Sequence, residues 1–297
     1  MTNTKLLKKD WGTGEVTSKM NLTVLVENNT LIDRYFKGEP GVSYFIEADG
    51  KRILFDVGYS DLFISNAKKM GINLLNLDYL VFSHSHLDHT WGLPDLIKLY
   101  TEAIIENQSY HKPELITHPE TFAPRTVGKL DQIGSLISKE EAANHFNLKL
   151  SKDPIFLTDN LAFLGEIERN NDFEAKEPIG KVITGDKKED DYIVEDSALV
   201  YKTSKGLVII SGCSHAGICN IIEKAKKLFD EDKILDIIGG FHLQKPTKKQ
   251  IEGTKNYLDE INPEVVHASH CTDLESKIEL AEVVNIKEVG VGLKLEY

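Results

Sequence analysis

The apolar run "LDYLVFS" (77–83) passes directly into "HSHLDHTWG", which sets His84, His86, Asp88 and His89 within six positions. Histidine is scarce in this chain, ten in 297 residues, so the crowding restricts which folds can hold it. A strand sends alternate side chains to opposite faces, so His84 and His86, two apart, point the same way. As the chain turns from strand into helix, Asp88 and His89 swing to a second position close by. Imidazole nitrogen and carboxylate oxygen suit Zn²⁺, Mn²⁺ or Fe²⁺. A closed structural zinc site would draw on cysteine pairs, and none stands here, which favours open coordination positions and catalysis.

The flanking sequence sets the fold class. The stretches 21–28, 42–48 and 52–58 read as strands joined by hairpins, one of them turning at "ADGK". Residues 60–70 read as a helix stopped by Gly71, and 93–105 as another that tolerates Pro94 in its first turn. Residues 106–150 read as an irregular insertion. It holds a short strand (114–118) and a helix (138–146) opened by a Ser138/Glu141 capping box, and its 119–135 segment is a candidate lid over a pocket. In the second half, "IFLTDNLAFLGEI" reads as a strand and "SALVYKTSKGLVIISGC" as a hairpin. Helices 215–229, 247–260 and 272–284 then alternate with strands 234–240, 264–269 and 286–295. Hairpins mixed with strand–helix alternation predict an α/β fold, a four-layer αββα sandwich. No linker rich in proline or serine divides the chain, so one domain over 1–297 is expected.

Composition narrows the function. With 41% apolar and 28% charged residues the chain has a globular profile, and no apolar run approaches the ~20 residues of a membrane span. The first sixteen residues carry lysines but no apolar stretch, so they do not read as a signal peptide, and a cytoplasmic location with no membrane partner is expected. A formal net charge of −12 repels a phosphate backbone, which disfavours nucleic acid. The charge runs at 186–196 and 226–233 read as solvated loops and helix faces. Three cysteines, Cys213, Cys219 and Cys271, are too few for a disulfide framework and suit a reducing compartment. The oligomeric state stays open, a homo-oligomer included.

"SHSHLDH" resembles the H-x-H-x-D-H signature of the metallo-β-lactamase superfamily, and "ILFDVG" resembles the family strand that precedes it. "LGEIERNNDFE", "SGCSHAGICN", "GGFHL" and "ASHCT" resemble blocks of one subgroup, the proteins related to dihydropterin–ribofuranosylaminobenzene-phosphate synthase and labelled metal-dependent hydrolases. The likeness runs over residues 20–295. It implies the metallo-β-lactamase-like αββα sandwich and two divalent metal ions, Zn²⁺ first and Mn²⁺ or Fe²⁺ as alternatives.

Two metals need donors beyond the cluster, at least one of them bridging, and the resemblance implies that later strand ends supply them. Cys213 stands where the family has a bridging aspartate or its cysteine variant. His215 points the same way two residues on; both are marked, His215 ahead as the better neutral donor. His270 matches the last family ligand, while His267 reads as a core histidine. His242 falls near the mouth as a substrate contact or proton donor, with Asp88 handling a proton as well as binding metal. Asp56 reads as a carboxylate that orients a ligand imidazole. The family's Pro-Gly-His histidine is absent, since the region reads "YIVEDSALVY". Glu195 or Asp196 replaces it, or His118 reaches in, or the first metal has fewer protein ligands. Arg125 and Arg169 are candidates to grip an anionic group on the substrate.

The function expected is metal-assisted hydrolysis, or displacement of a phosphoryl or pyrophosphate group, on a small anionic substrate. The subgroup adds condensation of a dihydropterin pyrophosphate with a ribofuranosylaminobenzene phosphate. The missing histidine keeps open a second class, a non-catalytic metal- or ligand-binding sensor.

Overall fold

The computed structural model describes residues 19–297; the N-terminal stretch in which no export signal was read lies outside them. Period-two alternation dictates the architecture. In the first sheet Leu22, Tyr44, Ile46, Ile53, Phe55 and Val81 face one core, while Phe45, Leu54, Leu80 and Leu115, one position away, face another. In the second sheet Phe163, Tyr201, Val208 and Ile210 face the same inter-sheet core, and Ala162, Val200, Leu207 and Ile209 face a third. Both faces of both sheets are therefore apolar, as strands buried on two sides require. Each fully buried leucine, isoleucine or phenylalanine contributes about 1.5–3 kcal/mol.

The seven-stranded sheet runs Lys294–Glu296, Met20–Val26, Ser43–Ala48, Lys51–Phe55, Tyr79–Val81, Glu114–Thr117, Asn147–Leu150. The six-stranded sheet runs Val265–Ser269, Ile234–Gly240, Gly206–Ser211, Ala198–Thr203, Leu161–Phe163, Ile155–Phe156. Helices Leu62–Lys69 and Leu93–Ile105 cover the outer face of the first sheet, and Ile218–Phe229 and Lys248–Ile261 that of the second. The result is the four-layer αββα sandwich that the pattern predicts. Among the described residues no helix is long and apolar enough to cross a membrane.

Parallel pairing places the chemistry. Lys51–Phe55 pairs in parallel with Tyr79–Val81, and Gly206–Ser211, Ile234–Gly240 and Val265–Ser269 are parallel to one another. Their carboxyl ends lead into Asp56, Ser83, Gly212, Phe241 and His270, the kind of rim where α/β sheets bind ligands.

Local rules hold where they were read. Asp49 and Gly50, at φ 50° and 78°, form a two-residue turn that closes Ala48 onto Lys51. Ser138 accepts a hydrogen bond from the Glu141 amide, and the Glu141 side chain accepts one from the Ser138 amide, completing the capping box.

Four stretches differ from the sequence reading. Residues 155–167 form two short strands rather than one, because Thr158 Oγ1 accepts from the amides of Asn160 and Leu161 and turns the chain there. Residues 286–295 yield only Lys294–Glu296 as strand, interrupted at Gly292, whose φ is 94°. Of the expected 106–150 insertion, Glu114–Thr117 and Asn147–Leu150 are integral strands of the large sheet. Within the acidic run 186–196, Lys187–Asp190 pairs with Lys181–Thr184, which pairs with Arg125–Thr126 in a small third sheet. All four side chains of Lys187–Asp190 are exposed, so no alternation announced a strand.

A Cβ added at Gly50 meets nothing within 4 Å, so Gly50→Ala should cost only the left-handed backbone penalty, about 1–2 kcal/mol in urea unfolding. Ser138→Ala should cost about 1 kcal/mol through loss of the helix cap, read the same way.

Candidate metal centre

Asp56 leaves its strand in a left-handed conformation, φ 57°, with its carboxylate fully buried. It accepts hydrogen bonds from the Ser83 amide (2.8 Å) and the Ser83 hydroxyl (2.7 Å), and it lies 2.7 Å from His89 Nδ1. The Ser83 proton is thereby committed, so the 2.9 Å contact between Ser83 Oγ and His84 Nδ1 is a bond donated by the imidazole. Donor–acceptor accounting then puts the protons of His84 and His89 on Nδ1 and leaves both Nε2 atoms as lone pairs. The expected role of Asp56, orienting a histidine, matches this geometry. Gly212 lets the second sheet approach: a Cβ there would stand 2.2 Å from Ser83 Oγ and 3.1 Å from Asp56.

His84, His86 and His215 converge, their donor atoms all within 4.8 Å of one another. His84 Nε2, His86 Nε2 and both ring nitrogens of His215 are buried and without hydrogen-bond partners. Burial, followed by repulsion among neighbouring imidazoles, holds His84 and His215 well below the usual histidine range. Burial lowers His86 to about 3. These are neutral rings with free lone pairs, the protonation state a metal requires. An unsatisfied buried polar atom costs about 1–3 kcal/mol, and a shared cation would satisfy three rings at once.

A second donor set adjoins the first. Asp88, His89 and His270 lie within 4.8 Å of one another, as do His84, His89 and Cys213. His89 Nε2 is 3.3 Å from His270 Nε2 and 3.2 Å from Cys213 Sγ. Two nitrogens about 2.0–2.1 Å from one tetrahedral zinc stand roughly 3.3–3.4 Å apart, so the spacing fits a shared cation. His270 Nδ1 meets Asn28 Oδ1 at 3.0 Å, which turns its Nε2 inward, and the His270 amide donates to Glu27 at 2.8 Å. Burial would raise the Asp88 carboxyl, but His89 and His270 outweigh it and hold the group well below the carboxylate range. His89 shows the converse: burial lowers it, and Asp88 and Asp56 outweigh burial and raise it.

The structure brings together His84, His86, Asp88, His89, Cys213, His215 and His270. It divides the pair left open in the sequence, placing His215 with His84 and His86, and Cys213 with His84 and His89. His242 stands beside this group, its ring 4.3 Å from that of His215, and it lines both adjoining cavities. Burial lowers His242, but Cys271 and Asp196 outweigh it and raise its pKa. His267 bonds Asp236 at 2.9 Å, the core role read for it.

Several expectations are corrected. His118 does not join the donors: its Nε2 meets Glu166 at 3.1 Å, and its Nδ1 accepts from the Glu120 amide at 3.1 Å. Glu195 does not replace the missing histidine, because it is ion-paired to Arg125. Asp196 accepts from the Ala216 amide at 2.8 Å and stays 3.9 Å from the far side of His84, at Nδ1. His215 supplies the third imidazole instead, and with it the ligand-count argument for a sensor loses its premise. Arg125 cannot grip substrate, being fully buried between Asp191 (2.8 Å) and Glu195 (2.7 Å). Arg169 spends its Nη2 on the carbonyls of Tyr192 and Ile193.

Sequence reasoning missed Cys271. Its thiol lies with Cys213 and His270, donates to the Cys213 carbonyl at 3.3 Å and accepts from the His242 amide at 3.2 Å. The only signal was its place after His270. Two cavities of about 280 Å³ flank the donors. One is walled by Val127, Leu130 and Ile133 above Asp88 and His270; the other by Phe173, Tyr192 and Phe241, with Lys176 and Lys249 among its polar groups. His215, His242 and Ile179 line both.

A model of the metallo-β-lactamase superfamily matches residues 37–229. The chain is 30% identical over 274 residues to the 7,8-dihydropterin-6-methyl-4-(β-D-ribofuranosyl)-aminobenzene-5′-phosphate synthase of Methanocaldococcus jannaschii, covering 87% of this chain and 89% of that protein. An uncharacterized protein of the same organism is 28% identical, with 91% and 98% covered. The crystal structure of Tm1679, a metal-dependent hydrolase of the β-lactamase superfamily, superposes with a TM-score of 0.77 at 28% identity, covering 94% of this chain and 99% of that one. Signature, sandwich and converging donors agree with these likenesses, and the chain belongs to the metallo-β-lactamase superfamily.

Proposed function

We propose that this chain is a metal-dependent enzyme that hydrolyses a small anionic substrate, or displaces a phosphoryl or pyrophosphate group from it. The observation that carries this reading is the convergence of the unpartnered, uncharged imidazoles of His84, His86 and His215 on one position, with Asp88, His89 and His270 grouped beside it beneath a cleft. His84, His86 and His215 would hold one cation and Asp88, His89 and His270 the other, with Cys213 near both sets. Divalent ions, Zn²⁺ first and Mn²⁺ or Fe²⁺ as alternatives, supply Lewis acidity there, lowering the pKa of water and polarising a phosphoryl oxygen. The Asp88 carboxylate, kept ionised by its histidine neighbours, accepts a proton. His242, at the mouth shared by both cavities, donates one to the leaving group. The apolar wall of Val127, Leu130 and Ile133 excludes bulk water and strengthens every charge interaction beneath it. A dihydropterin pyrophosphate is the first substrate to test, on the strength of the name carried by the relative from M. jannaschii. A cytoplasmic setting accords with buried free thiols.

Elemental analysis of the purified protein should give two divalent ions per chain, and chelation should abolish turnover until metal is restored. His86→Ala, with an unchanged circular-dichroism spectrum, should lose more than the ~10–100-fold typical of an outer-sphere substitution. The assay panel is a chromogenic phosphodiester, a phosphomonoester, and pyrophosphate release from a dihydropterin pyrophosphate given a ribofuranosylaminobenzene phosphate. Two bound metals with no turnover on any of these would sink the reading.

Acid should empty the two positions in order. His89 has a raised pKa, so protons compete with metal at the second set as pH falls below neutrality, while His84, His86 and His215 stay proton-free. Titration from pH 7 towards 5 should therefore release the second ion before the first, as followed by metal content after gel filtration.

Asp56→Ala removes the acceptor that sets both Nδ1 protons. It should weaken metal binding about 10–100-fold in chelator competition.

A further inference from the structure

We infer that Arg125 is a positioning residue that locks the roof of the cleft to the loop carrying His84 and His86; this rests on the metal centre proposed above. Arg125 is among the largest fully buried side chains of the described residues, and its guanidinium faces ion-pair and hydrogen-bond partners from two directions. Nε meets Asp191 at 2.8 Å and Nη2 meets Glu195 at 2.7 Å. Nη1 donates to the carbonyls of Ala123 (2.8 Å) and Glu120 (3.1 Å). A guanidinium offers this fixed fork of donors, and an ammonium does not.

The far side of the ion pair reaches the metal loop. Glu195 Oε1 accepts from Ser85 Oγ at 2.8 Å, and Ser85 is the residue between His84 and His86. Asp196, the next residue, accepts from the Ala216 amide at 2.8 Å, directly after His215. The stretch 191–196 thus bonds residues next in sequence to all three imidazoles of the first set, Ser85 between His84 and His86 and Ala216 after His215. On the near side Arg125 lies in the small third sheet, and its carbonyl accepts from the Ile133 amide at 2.8 Å. Val127, Leu130 and Ile133, just beyond it, wall the cleft above the donors. The second donor set shares Asp56 with His84, but its other supports are Asn28 and Glu27 rather than the 191–196 stretch.

That asymmetry makes the role testable. Zinc affinity at each position is measured by calorimetry and chelator competition on the full chain, with thermal unfolding of the metal-free protein alongside. Arg125→Lys, which keeps the charge and loses the fork, should weaken one of the two zinc ions by about 10–100-fold and leave the other unchanged. In a His86→Ala background, Arg125→Lys should have no effect on the ion that remains. Ser85→Ala, which removes one hydroxyl, should act on the same ion to a smaller degree, and it carries the test where Arg125→Lys does not fold. Unchanged affinities at both positions, or equal weakening at both with a lower unfolding temperature, overturn the inference and leave the metal centre standing. A wild-type chain that binds no zinc overturns the centre itself, and this role with it.

Discussion

The carboxylate of Asp56 is the interaction on which the site's chemistry depends. It receives the Ser83 amide, the Ser83 hydroxyl and the His89 ring, and through Ser83 it also sets His84. One buried carboxylate thus dictates the tautomer of two adjacent imidazoles, their rings 4.2 Å apart, so each shows a lone pair to the interior. A buried carboxylate is costly unless its oxygens are satisfied, and these contacts supply that satisfaction. The left-handed turn at Asp56 aims the carboxylate under the neighbouring strand end.

The rest of the molecule brings distant pieces of chain to that anion. The donors come from residues 84–89, 213–215 and 270, so no local segment can assemble the centre alone. Two sheets, each apolar on both faces, stack so that their parallel strands end at one rim. Close packing fixes the separation: Gly212 admits Ser83 and Asp56 where any side chain would collide. The rigidity of the core becomes the precision of the site, because each donor lies in a short segment that leaves the end of a buried strand.

Much of this was legible in the sequence, for physical reasons that differ by residue. The H-x-H-x-D-H run, the hairpin at Asp49–Gly50 and the cap at Ser138 are local, and local rules decide them. Asp56 and His267 were readable because each closes or occupies an apolar strand. His215 was marked as a donor, but its partners were not, since its placement turns on Ser214 adopting a left-handed φ of 60°. Arg125 read as a candidate grip for an anionic group because the carboxylates that pair with it, Asp191 and Glu195, lie far along the chain. His118 follows an apolar strand as a ligand would, yet its ring is taken by Glu166, a partner 48 residues further along the chain. The small third sheet escaped because a strand exposed on both faces has no hydrophobic period to detect.

Cys213 places sulfur where both donor groups converge, its Sγ grouped with His84 and His89 on one side and with His270 and Cys271 on the other. A thiol at that junction is vulnerable to chemistry that a carboxylate would ignore. Burial holds the thiol protonated and out of reach of peroxide, but thiophilic ions such as mercury or cadmium would compete for it. Capping that single atom disturbs both neighbourhoods together. Traces of soft metal therefore bear on this protein more heavily than on a chain with carboxylate oxygen at the same place.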